Sequence, residues 1–85
     1  MDDRSHIVVV EDEPVTRTAL SSYFDAQGYR TSEAEGADEL DNILQSDSAD
    51  LLIIDINLTG KHGLEITREL RAVSEVAIIL LSARS

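Results

Sequence analysis

The chain has 85 residues, of which 17 are acidic and 7 are basic, so its formal net charge is −10. This length allows at most one domain, and the charge disfavours binding to nucleic acid phosphates. The absence of cysteine excludes disulfide bonds, thiolate zinc sites and cysteine nucleophiles. The longest apolar run, residues 76–81, is too short for a signal peptide or a membrane span, so we expect a cytoplasmic protein without a membrane partner.

The first half of the chain predicts two strands and two helices. Residues 7–10 are all β-branched, which is typical of a strand buried on both faces of a parallel sheet. Pro14 suits the first turn of a helix, which we expect to end near Gly28. A polar edge strand is predicted at residues 29–34 and a second helix at residues 37–45. The first helix has these residues at helical spacing: Val15, Ala19, Leu20, Tyr23, Phe24 and Gln27.

The second half continues the alternation of strands and helices. Residues 51–54 form a wholly apolar strand that ends in Asp55, and residues 76–81 form a fourth strand that ends in Ser82. Between them lies a loop followed by a third helix, with one face predicted to carry Leu64, Thr67, Leu70 and Val73. The order βαβαβαβ predicts an α/β domain with a parallel sheet, helices on both faces and right-handed crossovers.

Polar side chains follow three of the predicted strands. Ligands of open parallel sheets bind at the carboxyl ends of the strands, which directs attention to Glu11, Asp12, Asp55 and Ser82. Three carboxylates at one edge would repel each other unless a cation lay among them, and hard oxygen ligands suit Mg²⁺. A carboxylate beside Mg²⁺ is either a ligand or a nucleophile that attacks phosphorus.

Each of these features also has a simpler explanation. Acidic residues before a helix are favoured by the helix dipole alone. An aspartate that closes a strand is often a turn residue, and Ser82 is a possible cap. The functional interpretation depends on all of them occurring together at successive strand ends.

Three segments resemble the receiver domain of two-component response regulators. Residues 8–14 match the acidic motif after the first strand of that family, and residues 79–83 match its switch strand. Residues 52–58 match the phosphoacceptor strand, with Gly63 eight residues after Asp55. The resemblance extends over the whole chain. It is strongest to regulators whose output is a winged-helix (OmpR-type) transcription factor.

This resemblance implies a flavodoxin-like, doubly wound sheet of strand order 2-1-3-4-5. It implies a phosphoacceptor signalling domain rather than an enzyme, in which Asp55 takes a phosphoryl group from a sensor histidine kinase with Mg²⁺ as cofactor. It assigns direct Mg²⁺ binding to Asp12 and Asp55, contact through water to Glu11, a backbone carbonyl ligand to Asn57, and phosphoryl contact and switching to Ser82 and Ala83. DNA would be bound only through an output domain.

The chain departs from the family in two respects. Thr59 stands where the family usually has proline, a change that removes no ligand. The fifth strand, with a lysine that pairs with the phosphoryl group, and the last two helices would lie beyond Ser85, and Lys61 is not equivalent to that lysine. Residues 1–85 are therefore expected to be a C-terminally incomplete receiver without its output domain.

The missing elements lead to a prediction about association. The fourth strand would become an exposed apolar edge, and one face of the sheet would be partly bare. The residues expected to be exposed on that face are Leu52, Ile54, Ile78 and Leu80. We therefore expect these 85 residues to associate with a second copy of the chain.

Two alternatives stay open from the sequence. Residues 55–59 resemble the Asp-x-Asp-x-Thr motif of haloacid dehalogenase-type phosphohydrolases, although Asn57 cannot act as the general acid. A vestigial receiver that serves as a protein-interaction module is the other alternative, and Mg²⁺ titration would distinguish it. His6 and His62 are interpreted as surface residues rather than as a metal-binding pair.

Overall fold

The computed structural model describes residues 3–82. Within this range, four strands alternate with three helices: β1 His6–Val10, α1 Pro14–Ala26, β2 Arg30–Ala34, α2 Ala37–Ser46, β3 Leu51–Asp55, α3 Gly63–Arg71 and β4 Ala77–Leu81. The strands form one parallel sheet in the order β2-β1-β3-β4. This order confirms the flavodoxin-like prediction, including the placement of β2 at an edge. None of the helices in this range is long and apolar enough to cross a membrane.

The two faces of the sheet are covered unequally. Helices α2 and α3 pack on the face that carries Val8, Leu52 and Ile54, whereas α1 alone covers the face with Val9 and Ile53. The predicted exposure of Leu52 and Ile54 is therefore wrong, because both side chains are fully buried. Ile78 and Leu80 on the same face are partly buried.

The bare region lies on the other face, in the strand farthest from α1. Ile79 is paired in register with Ile53 and remains 47% exposed. The physical reason is that, among residues 3–82, two of the three crossover helices lie on one face, and no helix of this range covers the opposite side of β4.

The inner face of α3 also differs from the prediction. Ile66 is buried, whereas Leu64 and Val73 are exposed, and Val73 lies beyond the end of the helix. An α-helix has 3.6 residues per turn, so residues at every third position move progressively to a different face. Leu64 and Val73, the first and last residues of the predicted set, therefore cannot share one face. Ile66 and Leu70, four residues apart, supply the apolar contacts of α3 with the core.

Helix α1 combines an apolar contact with a polar one. Leu20 and Phe24 pack on the sheet, while Val15, 75% exposed, points away from it. The buried hydroxyl of Ser21 donates to Glu33 Oε2 at 2.6 Å, and Arg17 Nε donates to Glu33 Oε1 at 3.2 Å. The helix is thus tied to the edge strand β2 by hydrogen bonds as well as by side-chain packing.

His6 is a buried residue, so its prediction as a surface residue is wrong. It is 1% exposed at the amino end of β1. Its Nδ1 lies 2.8 Å from the Ser48 carbonyl oxygen and its Nε2 lies 2.7 Å from Ser32 Oγ. A carbonyl only accepts, so Nδ1 carries the proton and donates. His62 is exposed, and its Nδ1 instead accepts the Leu64 N–H at the start of α3.

Candidate functional site

Glu11, Asp12 and Asp55 meet at the carboxyl edge of the sheet. The pairing of Val10 with Ile54 places the end of β1 beside the end of β3. One carboxylate oxygen from each of the three residues lies within 4.8 Å of the other two. Glu11 and Asp55 are each 5% exposed. The structure therefore brings together the three acidic residues that the sequence singled out.

Backbone hydrogen bonds orient two of these carboxylates. The Asn57 N–H donates to Asp55 Oδ1 at 3.0 Å, and the Glu13 N–H donates to Glu11 Oε2 at 3.0 Å. In both cases the donor lies two residues after the acceptor, as in a turn closed by an aspartate side chain. The local chain therefore holds each carboxylate at the edge.

Asp12 is held by Thr59 from the loop after β3. The Thr59 N–H donates to Asp12 Oδ2 at 2.9 Å, and the Thr59 hydroxyl donates to the same oxygen. From the sequence, Thr59 predicts only a change in the loop, and its contact with Asp12 is a finding of the structure. The sequence does contain a signal for this contact, because threonine, unlike proline, has a backbone N–H and a side-chain hydroxyl that can both donate hydrogen bonds.

The acidic neighbours differ in their pKa shifts. Burial raises the pKa of Glu11, and the adjacent Asp12 and Asp55 carboxyls raise it further, against a lowering by the Glu13 N–H. The hydrogen bonds from the Thr59 side chain and backbone lower the pKa of Asp12. The pKa values of the two neighbouring residues Glu11 and Asp12 thus shift in opposite directions.

These residues fit a hard divalent cation. Two oxygens bound to one Mg²⁺ are at most about 4.2 Å apart, twice a metal–oxygen distance of about 2.1 Å. The separation of up to 4.8 Å in the cluster therefore needs only a small contraction. Carboxylate oxygens are also the ligand type that Mg²⁺ prefers, and a cation would offset the repulsion that the cluster creates.

Gly63 allows α3 to begin directly against the end of β3. A Cβ atom on Gly63 would lie 2.3 Å from the Asp55 carbonyl oxygen and 2.9 Å from Ile56 Cα. The Gly63 N–H donates to the Ile56 carbonyl at 3.1 Å. A side chain at this position would displace the backbone that carries Asp55, which explains physically why glycine stands here.

The remaining predicted residues surround the cluster to different degrees. Asp55 pairs in register with Leu81, so Ser82, the next residue, lies at the same edge with an exposed side chain. Asn57 is exposed and contacts Asp55 through its backbone N–H. Ala83 lies outside the described residues. Lys61 Nζ donates to Glu69 Oε1 at 2.8 Å.

Comparison with known proteins agrees with this geometry. The family model of the response regulator receiver domain matches residues 7–85. The TorCAD operon transcriptional regulatory protein TorR of Escherichia coli strain K12 is 50% identical over 80 residues, which cover 94% of this chain and 35% of that protein. The chain thus spans about a third of the length of this curated relative.

Solved structures show the same architecture. The receiver domain of TorR is 49% identical with a TM-score of 0.87, over 94% of this chain and 67% of that one. The response regulator TrrA, solved in complex with the histidine kinase ThkA, is 39% identical with a TM-score of 0.85, over 95% and 71%. TrrA from Thermotoga maritima has also been solved with Mg²⁺ and a beryllium fluoride group, with a TM-score of 0.86 over 95% and 71% at 39% identity. By sequence, strand order and fold, the chain belongs to the response regulator receiver domain family.

Proposed function

We propose that Asp55 accepts a phosphoryl group from a sensor histidine kinase in the presence of Mg²⁺. The observation that carries this proposal is the convergence of three acidic residues at the end of β3, with their oxygens within 4.8 Å of one another. The crystallised complex of the related TrrA with the kinase ThkA supports a kinase as the partner. Membership of the receiver family removes the basis of the phosphohydrolase alternative.

The proposed ligand roles are those that the family resemblance implies, and the convergence of the three carboxylates supports them. Asp12 and Asp55 would bind the metal directly, and Glu11 would bind it through water. The backbone carbonyl of Asn57, the residue whose N–H already contacts Asp55, completes the protein ligands. When bound, Mg²⁺ neutralises charge on the phosphoryl oxygens, which is most of what such a transfer requires.

The covalent step uses the Asp55 carboxylate as nucleophile. One of its oxygens forms a bond to phosphorus, while the bond between phosphorus and the imidazole nitrogen of the kinase breaks. The electron pair of that bond stays on the nitrogen, and the product is an acyl phosphate on Asp55. The burial of Asp55 limits the access of water to this mixed anhydride. Ser82, next to the strand partner of Asp55, donates its hydroxyl to a phosphoryl oxygen, and Ala83 is small enough to leave room for it.

The output is proposed by analogy with the relatives. TorR is described as a transcriptional regulatory protein, and this chain covers 35% of it. We place this receiver in a longer cytoplasmic regulator whose DNA-binding domain lies outside the 85 residues. Phosphorylation of Asp55 would then change the activity of that domain.

Phosphorylation of the full chain by a small acyl phosphate tests the assignment. Mass spectrometry is expected to show one added phosphoryl group on Asp55 with Mg²⁺ and none with EDTA. Asp55→Asn abolishes the modification, whereas Asp41→Asn, at an exposed position of α2, leaves it unchanged. Modification of Asp55→Asn at the wild-type rate would sink the proposal, and a wild type that binds no Mg²⁺ would favour the vestigial module.

Self-association of the 85-residue chain is a second proposal. Within residues 3–82 the outer edge of β4 has no strand partner, and Ile79 on this strand is half exposed. Unpaired apolar edges promote pairing with another chain. Light scattering is expected to show a dimer or larger species that Ile79→Lys weakens. Val73→Lys, at a more exposed site outside the sheet, serves as control. A wild-type monomer at high micromolar concentration contradicts this proposal.

A further inference from the structure

Thr59 makes two hydrogen bonds to one oxygen of Asp12. Its N–H and its hydroxyl both donate to Asp12 Oδ2, across a separation of 47 residues in the chain. The Thr59 side chain is exposed, so packing in the core does not determine its orientation. The loop after β3 and the loop after β1 are thus joined through the carboxylate of Asp12.

Both Thr59 donors bind the same oxygen of Asp12, which matters for how Asp12 could bind a metal. A carboxylate oxygen has two lone pairs, so the two Thr59 donors occupy Oδ2, and Oδ1, which neither of them contacts, can bind a cation. Mg²⁺ demands near-ideal octahedral geometry and takes few carboxylate ligands, so one oxygen of Asp12 is sufficient. Hydrogen bonds to the other oxygen restrict rotation of the carboxylate before the ion arrives.

We propose that Thr59 is a positioning residue of the Mg²⁺ site, which orients Asp12 by occupying Oδ2 and thereby presents Oδ1 to the metal. This inference rests on the proposed metal-dependent function of the cluster. Removal of such partners of metal ligands typically weakens metal affinity by about 10- to 100-fold. Because the Thr59 N–H remains when only the side chain is changed, we expect a loss near the lower end of this range.

The experiment compares side chains that keep or lose the hydroxyl. Thr59→Val has nearly the same shape without the donor, and Thr59→Ser keeps the donor. Thr31→Val is the matched control, because the Thr31 hydroxyl donates to Asp25 Oδ1 at 2.6 Å, far from the cluster in strand β2. Mg²⁺ affinity of the full chain is measured by isothermal titration calorimetry, and metal-free stability is measured by thermal melts in EDTA.

We expect Thr59→Val to weaken Mg²⁺ binding about tenfold, with wild-type affinity in Thr59→Ser and in Thr31→Val. If Thr59→Val does not fold, Thr59→Ala, which also lacks the hydroxyl, provides the same comparison. Unchanged or tighter Mg²⁺ binding without the hydroxyl overturns the inference, as does a loss of affinity in Thr59→Ser equal to that in Thr59→Val.

Asp12→Asn separates this inference from the proposed function. If the wild type binds Mg²⁺ no better than Asp12→Asn, the proposed metal-dependent function fails together with the inference. If the wild type binds well and Asp12→Asn does not, while Thr59→Val equals the wild type, only the role of Thr59 is wrong.

Discussion

The two ends of the sheet differ in whether their acidic groups lie beside basic partners or beside other acidic groups. At the carboxyl edge, Glu11, Asp12 and Asp55 have the same sign, and burial together with the neighbouring carboxyls raises the pKa of Glu11. At the amino edge, Asp47 lies between Arg30 and His6. The hydrogen bond from Arg30, together with the positive charge of its guanidinium group, lowers the pKa of Asp47.

The polar groups of His6, at the amino edge, are satisfied by hydrogen bonds within the protein. The ring of His6 contacts Ser48 and Ser32, and the His6 N–H donates to Asp50 Oδ2 at 2.7 Å. Buried polar groups are costly unless they are hydrogen-bonded, so this network contributes to stability without any ligand. The carboxyl edge gathers charge of one sign and is best stabilised by a cation. We therefore expect the amino edge to contribute to stability and the carboxyl edge to provide the proposed Mg²⁺ site.

Gly63→Ala is expected to have the largest effect, at the carboxyl edge. The added methyl would lie 2.3 Å from the backbone oxygen of Asp55. Overpacking of this kind costs about 1–3 kcal/mol of unfolding free energy, occasionally more, and it would also displace the backbone of Asp55, the proposed phosphoacceptor. We expect lower stability in urea melts and loss of phosphorylation. Gly36→Ala, where nothing lies within 4 Å, is the control, and equal behaviour of the two variants would contradict this explanation of Gly63.

His6→Leu examines the amino edge and should affect stability alone. The substitution removes the hydrogen bonds that the His6 ring makes with the Ser48 carbonyl and the Ser32 hydroxyl, and each such bond contributes about 0.5–1.5 kcal/mol to the free energy of unfolding. Urea melts of the full chain are expected to show this loss. Mg²⁺ affinity measured by calorimetry should stay at the wild-type value, because His6 lies at the other end of β1 from Glu11. A weaker Mg²⁺ site in His6→Leu would mean that the two ends are coupled.

The smallest expected effects are opposite changes of melting temperature in EDTA at neutral pH. Because folding raises the pKa of Glu11, its protonated carboxyl stabilises the folded protein below pH 4.5, the ordinary pKa of the group. This contribution is lost as the pH rises through the raised pKa. Glu11→Gln avoids that loss and should melt higher than the wild type. The lowered pKa of Asp47 implies stability that is present above 3.8 and lost as pH falls through the lowered value, so Asp47→Asn should melt lower.

Both differences should shrink in acid, where the wild-type carboxyls are protonated. Differential scanning fluorimetry across acidic and neutral pH measures the two variants side by side. Shifts of the same sign at neutral pH would contradict the contrast between the two ends.

Much of the fold was predictable because it depends on local patterns. The β-branched run at residues 7–10 and the apolar run at residues 51–54 indicate buried parallel strands, and both form as predicted. Gly28, with a φ of 97°, follows α1 as expected for a helix end. The convergence of Asp12 and Asp55 was also predictable, since the carboxyl ends of parallel strands meet at one edge.

Other features could not be obtained from local patterns. The burial of His6 depends on Ser32 and on Ser48, which lie 26 and 42 residues away in the chain. The choice of the bare sheet face depends on which side each crossover helix packs, and the prediction for Leu52 and Ile54 was wrong for this reason.

The sequence by itself determined the order of strands and helices and the acidic residues at the strand ends, because side-chain periodicity and strand direction are local properties. Only the tertiary structure decided how those residues are held. Thr59 contacts Asp12 across 47 residues, and Gly63 contacts the backbone of Asp55 at a distance that excludes a side chain. Such contacts depend on the relative positions of separate loops, and these positions are set only when the helices have packed on the sheet.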